Sequence, residues 1–190
     1  MKKITSILVI LLISVTFAKA QFTKVGGGLG FTSGYYFHEM TYDYNKSGHF
    51  LGYLKGIYEI SVPLHVSPSV SFFAPHVYKF MDEKTTVNTM MIDINGHYVF
   101  NSLDQFEFYG LAGLDVMLAW KKDKYPGMTY HESDNALGLN LGLGTYMKLT
   151  EQFDLNLEAK YLLSKYGQFM FNAGILINLD WLTKHEDTGM

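Results

Sequence analysis

The feature that most constrains the fold is a strict two-residue alternation across residues 153–163, FDLNLEAKYLL. Apolar side chains occupy the odd positions, and the even positions before Leu162 are polar: Asp154, Asn156, Glu158 and Lys160. This period predicts a β-strand with one apolar and one charged face, because a helix would scatter the charges around its axis. The apolar face either packs on a protein core or contacts lipid around a closed barrel, and we favour the second arrangement.

Residues 1–20 have the three parts of a secretory signal peptide. The positive end is KK, the apolar run covers residues 4–17, and AKA supplies small residues before a cut ahead of Gln21. The run is short for a spanning helix, which needs about 20 residues, so we expect cleavage rather than a membrane anchor. No later stretch is long and apolar enough for such a helix. An exported chain of this kind can span a membrane only as a closed barrel.

Composition excludes several kinds of site and partner. The chain of 190 residues fits one domain and has no cysteine, hence no disulfide, thiolate metal site or lipidated cysteine. A formal net charge of −3 gives no electrostatic argument for nucleic acid as a partner. Charged residues make up 17% of the chain, a smaller share than the usual ~25% of a soluble domain.

The same alternation recurs in seven further segments. Together with the first, the predicted strands cover residues 22–33, 50–60, 64–74, 86–100, 105–118, 137–149, 153–163 and 168–179. Even strand numbers and strands of about ten residues are typical of small outer-membrane barrels. The sequence therefore predicts an all-β fold, an eight-stranded antiparallel up-and-down transmembrane β-barrel.

The lengths of the connections predict the orientation of this barrel. Turns at Ser61, Asn101 and Thr150 are short, and they alternate with long connections. The long ones cover residues 35–48, 75–84 and 120–134. Short periplasmic turns and long outer loops are typical of membrane barrels, so both barrel ends are expected in the periplasm. The brief connection at Ser164 departs from the pattern.

The polar faces predict a lumen filled by side chains. The expected network comprises Lys55, Glu59, Asp93, His97, Glu107, Asp115, Lys148, Asp154, Glu158 and Lys160. Eight strands enclose just enough room for side chains, and glycines such as Gly142 and Gly144 leave space for Tyr109 and Tyr146. We expect paired charges to plug the lumen, with a narrow conduction path as the alternative. A soluble periplasmic barrel binding an apolar ligand would show the same period, but the connection lengths and polar faces favour the membrane.

The last predicted strand carries a motif with a known counterpart. Asn172-x-Gly174-x-x-Ile177-x-Leu179 resembles the assembly signal of outer-membrane barrels: a polar residue, a glycine, then two large apolar residues at alternate positions. The chain after residue 20 resembles, in pattern, the small outer-membrane β-barrel family of Gram-negative bacteria, of the OmpA transmembrane domain and OmpX type. The resemblance implies assembly by the barrel-assembly machinery and an environment of outer-membrane lipid and lipopolysaccharide.

Histidines beside serines or acids raise the possibility of catalysis and of metal binding. HVS at residues 65–67 and HESD at residues 131–134 supply the residue types of outer-membrane enzymes that transfer or remove acyl chains of lipid A. Metal-ligand types are supplied by residues 38–39, by His76 with residues 82–83, and by residues 131–132. Such pairs occur routinely in loops, and we expect no catalytic residues, metal site or cofactor.

The first long connection is rich in tyrosine, which provides large contact area at low entropy cost. Its candidate recognition residues are Tyr35, Tyr36, Tyr42 and Tyr44. An aromatic belt at the outer interface is the alternative interpretation. We expect residues 21–181 to form a barrel with a structural or recognition role, residues 182–190 to form a short periplasmic tail, and an extracellular or envelope protein to be a possible partner.

Overall fold

A computed structural model describes residues 22–37 and 45–180 of the chain. Its strands are β1 (Phe22–Thr32), β2 (Tyr35–Tyr36), β3 (Lys46–Ser47), β4 (Phe50–Ser61), β5 (Leu64–Phe80), β6 (Glu83–Leu103), β7 (Phe106–Tyr125), β8 (Met128–Lys148), β9 (Phe153–Leu163) and β10 (Gln168–Asn178). Eight of these close into an antiparallel barrel in the order β1-β10-β9-β8-β7-β6-β5-β4, while β2 and β3 pair separately. The predicted fold is confirmed. The expected signal peptide and the tail, residues 182–190, lie outside the described residues.

The side chains alternate between the two faces of the barrel wall as the sequence predicts. Leu137 and Leu143 on β8 are 70% and 62% exposed, and the outer faces of the other strands are similarly apolar. On β9 the side chains of Asp154, Glu158 and Lys160 are buried inside. An apolar exterior around an interior with buried charges suits hydrocarbon, whereas a soluble carrier would have a polar exterior around an apolar interior.

Four neighbouring strands are much longer than the other four. Strands β5 to β8 have 17 to 21 residues each, whereas β1, β4, β9 and β10 have 11 or 12. About ten residues cross the apolar band, so the long strands continue beyond it on the outer side. We call the part of β5 to β8 formed by residues 76–88 and 119–135 the raised sheet.

The raised sheet corrects the predicted long connections at residues 75–84 and 120–134. These segments are mostly strand and end in tight hairpins, with Phe80 opposite Glu83 and Tyr125 opposite Met128. Pro126 and Gly127 occupy the second turn, where Gly127 has a φ of +80°, a conformation that favours glycine. The sequence did not reveal these strands because the alternation of apolar and polar residues ends where both faces leave the hydrocarbon.

The first long connection is only partly described. Pairing of Tyr35 with Ser47 and of Tyr36 with Lys46 folds its two ends together above the barrel.

No helix within residues 22–37 and 45–180 has the length and apolar character needed to cross a membrane.

The outward orientation of Leu141 predicts the effect of placing a charge there. Leu141→Arg should lower the free energy of unfolding in lipid vesicles by about 2–4 kcal/mol, because arginine near the middle of the bilayer is poorly solvated. The control is Thr129→Arg, on the same strand but in the raised sheet, which should change stability by less than about 1 kcal/mol. Urea titration of the vesicle-embedded protein measures both values. Equal losses in the two variants would contradict the assigned position of the apolar band.

Candidate functional site in the lumen

A cluster of charged side chains crosses the middle of the lumen. Lys55 on β4 donates to Glu158 on β9, with Nζ 2.5 Å from Oε2. Lys160 Nζ lies 3.2 Å from Asp93 Oδ2 and 3.6 Å from Glu158 Oε1. All four side chains are at most 1% exposed. Two cations and two anions thus neutralise each other, as charges removed from water require.

An aromatic stack lies beside this charge cluster. The rings of His97 and Tyr109 are 4.3 Å apart, and those of Tyr109 and Tyr146 are 4.6 Å apart. The Tyr146 hydroxyl lies 2.5 Å from His97 Nδ1, and the Tyr109 hydroxyl donates to Glu158 over 3.1 Å. The hydroxyl groups therefore connect the stack to the ion pairs, while the rings fill the space around them.

Asparagine side chains extend this network, although the network predicted from the sequence contains no asparagine. Asn140 donates to Asn95 over 2.9 Å, and Asn95 donates to Asp93 over 2.5 Å. Asn156 donates to the Tyr109 hydroxyl over 2.8 Å and accepts from Lys55 over 3.3 Å. Their inward positions in the alternation are the sequence signal for these amides, and Asn156 lies on the polar face of the segment at residues 153–163.

The two ends of the lumen differ in chemistry. At the periplasmic end, a cavity of about 440 Å³ contains Lys24, whose Nζ lies 2.6 Å from Asp154 Oδ2 and 5.0 Å from the centre of the Tyr146 ring. Toward the outer end the interior is largely apolar. Buried residues there include Leu51, Phe73, Met91, Met117, Leu162 and Met170. The charge cluster therefore lies between a polar cavity at the periplasmic end and an apolar layer toward the outer end.

The remaining residues of the predicted network occupy less central positions. Asp115 is buried directly opposite Asp93 in the β6–β7 ladder. Glu59 and Glu107 are half-buried near the periplasmic end. Lys148 is exposed at that rim instead of inside, because it is the last residue of β8 and lies level with the cavity mouth.

Part of the first connection packs into the outer mouth. Tyr35 is buried, with its hydroxyl 2.6 Å from Thr89 Oγ1 and its ring 4.4 Å from that of Tyr166. Tyr36 is half-buried, with Lys46 Nζ 5.7 Å from the ring centre. Of the candidate recognition residues, Tyr35 therefore points into the barrel, while Tyr42 and Tyr44 lie outside the described residues.

An ion pair fixes the outer rim beside this tyrosine. The carboxylate of Asp134 on β8 accepts hydrogen bonds from Lys165 Nζ and the Tyr166 hydroxyl. Burial raises the pKa of Asp134, but these hydrogen bonds and the Lys165 charge outweigh that effect, and the pKa lies below its ordinary value. The carboxylate therefore stays ionised and holds the β9–β10 connection against β8.

The histidine motifs do not assemble a catalytic constellation among the described residues. His65 and Ser67 both point into the lumen from β5, and neither His65 Nδ1 nor Ser67 Oγ has a hydrogen-bond partner within residues 22–37 and 45–180. His131 and Asp134 point to opposite faces of β8. Within the same ranges no group of three or more histidines and acids could hold a metal ion. Residues 38–39 of the metal hypothesis lie outside those ranges.

The residues of the assembly motif surround the end of β10. Asn172 and Gly174 point inward and Ile177 points outward. Leu179 follows the last strand residue, Asn178, so the strand is one residue shorter than predicted. A Cβ on Gly174 would lie 2.4 Å from the Tyr53 hydroxyl and 2.5 Å from the Gly27 carbonyl oxygen. Gly174 thus permits close contact between β10, β1 and the Tyr53 side chain.

An apolar exterior, an interior crossed by ion pairs and an eight-stranded ring define a small membrane-spanning β-barrel. The chain belongs to the family described as outer membrane protein beta-barrel domain, which it matches over residues 5–181. The protein is therefore a component of the bacterial outer membrane, with short turns facing the periplasm. Comparison with curated protein sequences gives no match.

Solved structures with low sequence identity share the fold. The N-terminal β-barrel domain of Pseudomonas aeruginosa OprF is 13% identical with a TM-score of 0.56, over 84% of this chain and 99% of that one. Ail of Yersinia pestis, in complex with the heparin analogue sucrose octasulfate, is 18% identical with a TM-score of 0.52, over 80% and 95%. Neisserial surface protein A is 15% identical with a TM-score of 0.51, over 82% and 96%.

The aromatic stack predicts a strong effect of one added methyl group. A Cβ on Gly144 would lie 2.3 Å from both Cζ and the hydroxyl oxygen of Tyr109, whose ring cannot move away between His97 and Tyr146. Gly144→Ala should therefore lower the free energy of unfolding by about 1–3 kcal/mol.

The matched control for this prediction is Gly110→Ala. The nearest atom to a Cβ at Gly110 is Leu143 Cδ2 at 4.0 Å, an ordinary contact. Urea titration in the same vesicles compares the two variants. Equal stability of Gly144→Ala and Gly110→Ala would contradict the tight packing around Tyr109.

Proposed function

We propose that the protein is an outer-membrane barrel with a closed lumen, which acts structurally or by recognition through its outer end. The closed lumen is supported by one observation, the buried charge cluster of Lys55, Asp93, Glu158 and Lys160. These residues reach across the interior from β4, β6 and β9. An ion crossing the membrane would have to separate pairs that are shielded from water.

The packing around the cluster supports closure. The interior of an eight-stranded barrel is just wide enough for side chains to fill. Tyr109, Tyr146 and His97 are each at most 2% exposed, and the apolar layer follows on the outer side. The rings and the apolar layer therefore leave little free space beside the charge cluster.

Planar-bilayer recording tests the closed lumen. The wild-type protein should give no discrete current steps. Lys55→Ala combined with Glu158→Ala should produce them, because the double change removes both partners of the central pair and leaves Lys160 neutralised by Asp93. The control, Lys24→Ala with Asp154→Ala, removes an ion pair at the periplasmic mouth and should remain silent. Regular current steps from the wild-type protein would refute closure.

The second part of the proposal concerns the outer end of the barrel. The inner face of the raised sheet carries Tyr78, Phe80, Tyr125 and Tyr130, the first three lining a cavity of about 310 Å³ with Thr85 and Asp123. Aromatic rings next to polar groups are typical of binding surfaces. The described ends of the first connection, β2 and β3, pair with each other, and β3 contacts β5 and β6. We propose that the first connection and the inner face of the raised sheet together contact an extracellular or envelope protein.

Site-specific photo-crosslinking tests this recognition surface. A photoreactive amino acid in place of Tyr36 should give a discrete protein adduct on intact cells, while one in place of Val62, in a periplasmic turn, should not give the same adduct. Deletion of residues 37–44 should abolish the adduct and leave the barrel folded, as heat-modifiable gel mobility will report. An unchanged adduct in the deletion variant would refute the role of the connection.

Export and assembly are part of the same proposal. We propose that residues 1–20 are removed before Gln21, and that the barrel-assembly machinery reads Asn172, Gly174, Ile177 and Leu179. The pattern of an outward apolar row beside an inward glycine on the final strand supports this assignment. Lipopolysaccharide and the other outer-membrane lipids are the proposed environment of the exterior.

A further inference from the structure

The outward face of the raised sheet is basic and has no described acidic side chain. Strand alternation and register place Lys79, Lys84, Lys122, Lys124 and His131 on this face. Within the described part of the chain, Glu83, Asp123, Glu132 and Asp134 all occupy the opposite, inward face, and Asp82 lies in the hairpin turn. The two faces of one sheet therefore carry opposite charge.

The lysines of the outward face lie directly opposite one another. Lys84 is the cross-strand partner of both Lys79 and Lys124, which makes a row of three lysines across three strands. Lys122 lies opposite His131 in the next row toward the membrane. Like charges in register destabilise a sheet. Within residues 22–37 and 45–180, none of Lys79, Lys84, Lys122 and Lys124 forms an ion pair, so no described acid offsets this repulsion.

The position of the outward face relative to the bilayer indicates which group neutralises its positive charge. On β7 the outward residues below the lysines are Val116, Leu118 and then Trp120, which is 44% exposed. Tryptophan is typical of the level of the lipid headgroups. At about 3.3 Å per residue, Lys122 and Lys124 lie roughly 7 and 13 Å further along the strand. The lysines are thus at the level where phosphate groups of outer-leaflet lipid occur, on the side that faces lipid and not the barrel mouth.

A shallow cavity joins the tryptophan to the basic residues. It measures about 320 Å³, and its lining residues are Asn88, Trp120, Lys121, Lys122, His131, Glu132 and Ser133. Lys121 forms ion pairs with both Asp123 and Glu132, so the one acidic side chain that lines the cavity, Glu132, has a cation beside it. An aromatic ring beside amide, hydroxyl and cationic groups matches the chemistry of a phosphorylated sugar, since sugars pack on rings and phosphates bind to lysine.

We infer that this outward face binds the phosphorylated glucosamine headgroup of lipopolysaccharide in the outer leaflet. The Trp120 ring contacts the sugar, and Lys122, Lys124 and Lys84 neutralise its phosphates in place of divalent cations. The inference rests on the lipopolysaccharide environment proposed above, and it names the surface that contacts it. It is independent of the tyrosine-rich connection, so either assignment can fail alone.

Titration with purified lipid A tests the inference. The detergent-solubilised, folded protein is titrated with lipid A bisphosphate in buffer free of divalent cations, and native mass spectrometry counts the bound lipid. The double variant Lys122→Gln, Lys124→Gln should have an affinity for lipid A about thirty-fold lower than the wild type. Each lysine near an anionic lipid surface contributes about five-fold, and the two contributions multiply. The Lys122→Arg, Lys124→Arg variant should bind like the wild type. Lipid A without phosphates should bind the wild-type protein as weakly as the glutamine variant binds the bisphosphate.

The matched control removes the same number of charges elsewhere. Lys46→Gln with Lys148→Gln changes one lysine in β3 and one at the periplasmic rim, and it should leave lipid A binding unchanged. Heat-modifiable mobility verifies that every variant is folded. Equal affinity of the Lys122, Lys124 glutamine variant and the wild type would overturn the inference. Binding of a heparin fragment that depends on these lysines, without such dependence for lipid A, would also overturn it and assign the face to a soluble polyanion.

Discussion

Hydrocarbon offers no hydrogen-bond partner to a peptide group, and the rest of the structure follows from this constraint. Every strand edge must be paired, so the sheet closes on itself through β1, which bonds to both β4 and β10. Closure creates an interior too narrow for much water. The charged residues placed at its middle by the two-residue period must therefore form ion pairs and hydrogen bonds with one another. Lys55, Glu158, Lys160 and Asp93 do so by forming ion pairs.

The constraint no longer applies where the strands leave the bilayer, and there the alternation of apolar and polar residues ends. Strands β5 to β8 continue as a raised sheet whose two faces are both polar, one acidic and aromatic, the other basic. Within the bilayer the faces differ in polarity, whereas above it they differ in charge. Charge separation of this kind gives one surface toward the mouth and another toward neighbouring lipid, and the two proposals for the outer end use these two surfaces separately.

Much of the fold was predictable from sequence because the alternation is a direct consequence of the membrane. It identified the strands and placed Asp154, Glu158 and Lys160 inside. It did not identify the extension of β7 through residues 119–125, where apolar and polar residues no longer alternate. Contacts across the lumen, such as Asn140 with Asn95, depend on the register of strands distant in sequence, and no local pattern encodes that register.

The central claim, that leucines face lipid while charges meet inside, is tested most directly by methyl NMR in nanodiscs. Lipids that carry a nitroxide deep in the acyl chain broaden nearby methyl signals. The signals of Leu139, Leu141 and Leu143 should be strongly broadened, whereas those of Ile57, Leu162 and Leu176 inside the barrel should be much less affected. Broadening of the second set with sharp signals from the first would contradict the account.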